Sequence, residues 1–257
     1  MFSIMGAGAN GLSASSMWLN AIGDNVANAN TAGYGRRVVM MGSMPGQTQR
    51  PPNMSLGSQV LGPGLSVVPG AQLMSAIPVF GQSVTPTQVP TNMAINGSGF
   101  FVVSSPNGGV SYTRAGNFQL DASGQLVLPS GARLVPPVTI PAGASFSVAP
   151  NGTVTARTAQ GLKVVGKIGL AQFANPSGLV AVGQNLYQAS ASSGAAQIVA
   201  PGTKGAGTLS AGAVNASGVN LARELVNMVQ AESTYSLNAK ALAVGEAVTR
   251  TTTQLRV

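Results

Sequence analysis

The chain has 257 residues and a net charge of +8, yet only 7% of its residues are charged, against roughly 25% in ordinary soluble proteins. It contains no Cys and no His, which excludes disulfides, the usual zinc sites, the Ser-His-Asp triad and Cys-His nucleophiles. Its basic residues are dispersed, with Arg36-Arg37 the one adjacent pair and no aromatic interleaving, so no phosphate-tracking groove is expected and nucleic acid is not a predicted partner.

The first element is a helix. Met5, Gly8, Leu12, Ser15, Leu19, Ile22 and Val26 recur at alternating steps of three and four. No run of about 20 apolar residues occurs, so no membrane insertion is expected. Met1 to Ala9 lack a basic start, so a cleaved secretory signal is not expected either. The segment from Gly23 to Arg37 is rich in Asn and Gly, which close on their own backbone and tolerate left-handed conformations. The helix should therefore end by about Asn30. Asn25, Asn28, Asn30 and Gly33 are read first as cap and turn residues, and second as subunit contacts.

Residues 36–90 read as an extended linking region, with short strands around Ser58–Leu61 and Leu65–Val68 and prolines 78, 86 and 90 excluding long helix. The middle then changes character. Met93–Val103, Val110–Arg114, Asn117–Asp121, Gln125–Leu128 and Arg133–Val135 follow at short spacing, separated by Asn-Gly and Ser-Gly turns. Further strands are expected at Ser145–Val148, Thr153–Arg157, Lys163–Phe173 and Asn185–Gln188, giving an all-β domain over 91–188. Phe100 and Phe101 are expected to be one core and one partly exposed residue. Tyr112, Arg114 and Asp121 are read as hairpin stabilisers. Residues 189–217, rich in Ala, Gly and Ser, read as a return linker.

The last segment is again helical. Leu221, Leu225, Met228, Glu232, Tyr235, Ala239 and Leu242 form a stripe of period near 3.5 without proline. Two such stripes at opposite chain ends are what a coiled-coil seam requires, although separate packing of each on a globular core accounts for the periodicity equally well. Narrow-striped helices of this length are marginal alone, so residues 1–35 and 218–257 should be weakly held before assembly. The five acids, Asp24, Asp121, Glu224, Glu232 and Glu246, are scattered. They supply no evident paired carboxylates, and the chain is not expected to be an enzyme or to bind a metal or cofactor.

Four blocks carry a family resemblance: Leu19 to Tyr34, Met93 to Val103, Tyr112 to Val127, and Val219 to Lys240. They span nearly the whole chain, and the chain resembles the rod and hook proteins of the bacterial flagellar axis, with the distal rod as the best match. The resemblance implies an α+β fold: a discontinuous, coiled-coil-like helical domain from both termini (1–35 plus 218–257) with an outer β domain. It implies a structural subunit that polymerises with copies of itself into a helical tube, beside neighbouring rod and hook proteins and the flagellar export apparatus, in the basal body. The hook protein or a proximal rod component is the alternative within the family. An extracellular carbohydrate-binding β protein is the alternative outside it, on the strength of the middle domain and the basic charge. The expected assembly seam comprises Leu12, Leu19, Ile22, Val26, Leu221, Leu225, Met228, Tyr235 and Leu242. The chain departs from the family pattern at Gly218, at Glu232-Ser233-Thr234 and at Ser236, so no family salt bridge is carried over.

Overall fold

A computed structural model describes residues 2–44, 47–50, 65–67, 70–105 and 108–254. The strand expected at Ser58–Leu61 lies outside the described residues, whereas its neighbour appears as Leu65–Val67, paired with Gln47–Arg50. Two helices bracket the chain, α1 (Phe2–Ala27) and α2 (Leu221–Gln254), and antiparallel strands fill the middle. The fold is thus α+β, with no closed barrel among the described residues.

Contacts divide the chain into two compact units: residues 1–26, 37–77 and 221–257, and residues 27–36 and 78–220. The first holds α1, α2 and most of a two-stranded ribbon, Gly35–Ser43 with Ala71–Phe80. The turn after α1 clusters with the β unit, whereas the motif reading put residues up to 35 with the helices.

The β unit is organised on the strand Phe100–Ser104. One of its edges pairs with Val110–Thr113. Its other edge is shared by Leu170–Gln172, opposite Phe100 and Phe101, and Arg133–Leu134, opposite Val103 and Ser104. Such a strand has no edge left for water, which explains its unbroken apolar sequence. Phe101, Val103, Phe118, Leu126, Leu134, Ile168 and Leu170 form the larger core on one face. Phe100, Val102, Tyr112, Leu179 and Tyr187 form a second cluster on the other. Phe100 and Phe101 are therefore both buried, at 3% and 0% exposure, because the sheet is covered on both sides rather than one. Edge-on ring contacts fix each: Phe101 against Phe118 at 5.2 Å, and Phe100 against Phe80 and Phe173 at 4.9 and 5.8 Å.

Two sequence-based boundaries shift. The expected strand over Lys163–Phe173 is two strands in different sheets, Gly161–Lys167 and Leu170–Gln172. The Gly152 turn lies under the break, its missing Cβ making room for the Ile168 carbonyl oxygen, 2.4 Å from where that carbon would sit. The Ala/Gly/Ser-rich segment read as a return linker contains three strands. Gln197–Val199 pairs with Leu170–Gln172, Thr208–Ala211 with Met93–Asn96, and Ala213–Asn215 with Val84–Pro86.

Burial is unequal along the chain. Among the described residues of α2, only Glu224, Ala231 and Gly245 are buried. A helix gains most of its stability from a packed face, so α2 is held weakly by its own chain. Hydrogen exchange on the monomer should find the slowest amides in Phe100–Ser104 and amides at least ~100-fold faster along α2, reflecting local opening. Equal protection of the two would show that α2 is locked within the single chain.

Candidate assembly site

α1 and α2 meet through small and polar side chains. Gly8 lies under the Asn238–Leu242 turn of α2: a Cβ there would sit 3.5 Å from the Asn238 carbonyl oxygen and the Leu242 Cβ. Gly11 is closer still, since a Cβ would come within 2.7 Å of the Asn238 carboxamide. That carboxamide Nδ2 donates to Ser15 Oγ at 3.5 Å, and Ala14 and Ser15 are both buried. Further along, the Thr249 hydroxyl, which donates to the Gly245 carbonyl at 2.8 Å, lies 3.8 Å from the Met5 sulfur. Asn238, Leu242 and Thr249, which touch α1, share one face of α2 with its three buried residues, Glu224, Ala231 and Gly245, at steps of three, four and seven.

The expected seam is only partly joined within one chain. Ile22 is buried, and Leu12, Leu19, Val26, Met228 and Leu242 are half-buried. Leu221, Leu225 and Tyr235 are not brought against α1: they are 47%, 55% and 43% exposed. The cause is steric. Gly8, Gly11 and Ala14 let the two backbones approach, and the rotation that seats Asn238 and Leu242 on the two glycines carries Leu221 and Leu225 off the contact.

At its C-terminal end α1 is tied to the following strand chiefly by Asn25. Asn25, 1% exposed, accepts a hydrogen bond from the Arg37 amide (2.8 Å) and donates to the Arg37 carbonyl (2.9 Å). It therefore completes backbone pairing where the helix gives way to strand. The Arg37 guanidinium also reaches Asp24 at 2.9 Å, an exposed pair of small energetic weight.

Within the β unit, the turn after α1 is held from three directions. Thr31 closes it, its hydroxyl donating to Asn28 Oδ1. The Gly33 amide donates to the Asn215 carbonyl at 2.8 Å, Asn185 Nδ2 donates to the Ala32 carbonyl at 2.8 Å, and Ser217 Oγ donates to the Asn28 carbonyl at 2.9 Å. Gly33 has φ +66, and a Cβ on it would lie 2.2 Å from the Arg114 carbonyl carbon, so both conformation and space demand glycine. Asn30 is exposed. Asn215, fully buried, brackets Ile95 through both its amide and its carbonyl.

Arg114 anchors this region. Its guanidinium donates to the carbonyls of Gly99 (3.0 Å), Gly81 (2.9 Å) and Gly97, and stacks over Phe100 at 5.5 Å. Burial lowers its pKa to about 10, which still leaves it charged at neutral pH. Asp121 does not face it. Its carboxylate accepts from the Ser123 and Gln125 amides at 2.8 Å each, closing its own turn, and the Gln125 amide is the main reason its pKa is lowered. Tyr112 packs edge-on to Phe173 at 4.8 Å. None of these three arrangements places a reactive group beside an acid or base. Among the described residues, no cluster of His, Cys, Asp or Glu could hold a metal ion, and no helix is long and apolar enough to cross a membrane. Sequence reasoning missed Asn185, Asn215, Ser217 and Asn238, which hold the turn and the helix pair. An isolated Asn or Ser carries no periodic signal, although Asn238 does lie inside the C-terminal motif.

Comparison with known proteins covers both ends and the middle. Residues 5–34 match the family described as flagella basal body rod protein, residues 94–156 the flagellar hook protein FlgE/F/G D1 domain, and residues 210–255 the flagellar basal body rod FlgEFG protein C-terminal region. The chain is 35% identical to the flagellar basal-body rod protein FlgG of Buchnera aphidicola subsp. Baizongia pistaciae, over 92% of this chain and 93% of that one. It is 32% identical to the protein of that name from Caulobacter vibrioides, covering 96% and 97%. Similarity to the flagellar hook protein FlgE of Escherichia coli is partial: 38% identity over 44% of this chain and 28% of the hook protein.

The turn geometry yields a test by paired glycine substitutions. Gly212 has φ +69 but open space around its absent Cβ, so Gly212→Ala should cost about 1 kcal/mol from backbone strain alone. Gly33→Ala adds a backbone collision and should cost clearly more, about 2–4 kcal/mol. Thermal unfolding that ranks the two in the reverse order would show that the turn is not seated against Arg114.

Proposed function

Because the chain belongs to the family of flagellar basal-body rod and hook proteins, of which it is a structural axial subunit, we propose that it polymerises with copies of itself into the distal rod. In this reading the polymer is a helical tube that transmits torque and encloses the export channel. The subunit reaches it through the flagellar export apparatus, without a cleaved signal peptide, and contacts neighbouring rod and hook proteins. It works without catalysis, cofactor or nucleic acid.

The observation that carries this reading is the pair of terminal helices. Each is matched to rod proteins, they are packed on each other by a thin seam, and large apolar residues remain outside it. Within the expected seam, Leu242 meets α1 at Gly8 and Ile22 and Met228 are wholly or partly buried, so Leu221, Leu225 and Tyr235 are the positions offered to a neighbour. A hook role is disfavoured by length, since the hook relative matches only over 28% of itself.

The test is polymer formation by the purified chain, seen by electron microscopy, together with rod assembly and swimming in cells. Leu225 is more than half exposed, so Leu225→Glu should leave monomer stability within about 0.5 kcal/mol of the parent. Buried unpaired at every subunit contact, the same carboxylate costs several kcal/mol, so polymers and motility should be lost. Ala142→Glu, in an exposed turn of the β unit, should be tolerated. Normal swimming with normal rods in Leu225→Glu cells would remove the terminal helices from the contact.

A further inference from the structure

α2 carries a second apolar stripe, roughly opposite the face that meets α1. Val226, Val229, Leu237, Val244 and Val248 follow at steps of three, eight, seven and four, and they are 46–66% exposed. Ser233 and Lys240 lie between them, and Lys240 is the one charge on the stripe. The stripe runs about 33 Å along the helix, given ~1.5 Å per residue. A stripe of that length, so poor in charge, is not a solvated face of a free monomer.

α1 shows the complementary relief. Its face away from α2 carries Ala9, Ser13, Ser16, Asn20 and Gly23, all exposed and all small or slender, with Met17 at its flank and the exposed Asp24–Arg37 pair at its C-terminal end. A Cβ on Gly23 would meet nothing within 4 Å, so this side of the helix is open space in the single chain.

Resting on the assembly reading above, we propose that the outer stripe of α2 docks on the small-residue outer face of α1 of a second copy of this chain. The occupant is chosen by three observations. The bulky and the small face are at opposite sides of one helix pair, so neither can satisfy the other within a chain. Two different patches that fit each other across copies make a heterologous contact, which repeats into an open helix rather than closing as a dimer. One helix-on-helix contact also falls short of the ~1,200 Å² that a stable isolated interface buries, so it holds only when each subunit makes it repeatedly.

The absence of native cysteine makes the test clean. Chains carrying Leu237→Cys, or Val244→Cys as a second reporter, are labelled with a maleimide as monomer and as polymer. Labelling should fall about tenfold or more on polymerisation, as for a site that must open to react. Polymers are then grown from Leu237→Cys chains mixed with chains bearing Cys at Ala9, Ser13, Ser16 or Asn20. Oxidation should give disulfide-linked pairs of unlike chains for one or two of the four positions. Polymers that form normally yet leave both reporters labelled at the monomer rate would overturn the inference while leaving the assembly reading intact. So would cross-links between like Leu237→Cys chains only, no mixed link at any of the four positions, or protection that requires a different protein. Failure of the parent chain to polymerise at all would overturn the assembly reading itself, and this inference with it.

Discussion

The close approach of Gly8 and Gly11 to the Asn238 turn decides how the helical part of this protein is used. A Cβ at Gly11 would press on the Asn238 carboxamide and force it aside, so the glycines of α1 fit the rotation that seats Asn238 and its polar neighbours on them. A polar residue in a helix seam fixes register at some expense in stability. Here it does both: Asn238 is held against Ser15, while the apolar side chains that would stabilise a conventional coiled coil are turned outward. The helix pair is therefore specific in geometry and weak in burial. Those are the properties expected of an element that gains its stability from neighbours.

The β unit follows the opposite plan. Phe100–Ser104 is paired along both edges and covered on both faces, and Arg114 draws together three glycine carbonyls that would otherwise compete for water. A buried cation with no carboxylate beside it among the described residues is tolerated because its donors are matched by backbone oxygens and its face by the Phe100 ring. Replacing those oxygens with a carboxylate would confer no evident advantage, since the guanidinium already fixes the loops at residues 81, 97 and 99. Buried core is thus concentrated in the β unit, whereas α2 keeps only three buried residues.

Much of this was legible in the sequence, for identifiable reasons. The helices announced themselves through long stripes without proline, and α1 stops at Ala27, close to the Asn-rich end expected for it. The β unit was legible in its regularly spaced turns. The rotation of α2 was not, because hydrophobicity ranks Leu221 and Leu225 above Ala231 and Gly245, whereas close packing of two helices prefers the small residues. Counting apolar positions therefore selected a stripe flanking the one that meets α1. The three strands between residues 197 and 215 were hidden for a related reason. They join sheets through backbone pairing along short edges, and their Ala, Gly and Ser residues leave little periodic trace. Arg114 read as a hairpin residue because its partners are carbonyls far away in sequence, which no motif can show.

The division of labour proposed for the helical unit assigns the inner faces of α1 and α2 to the chain itself and the outer faces to its neighbours. A cryo-electron-microscopy reconstruction of the polymer formed by this chain tests it most directly. It should show Gly8 and Gly11 still seated under Asn238 of the same chain, with Val226, Leu237 and Val244 packed on side chains of another copy. A polymer in which those three residues face water, or in which Asn238 leaves its own α1 for that of a neighbour, would contradict it.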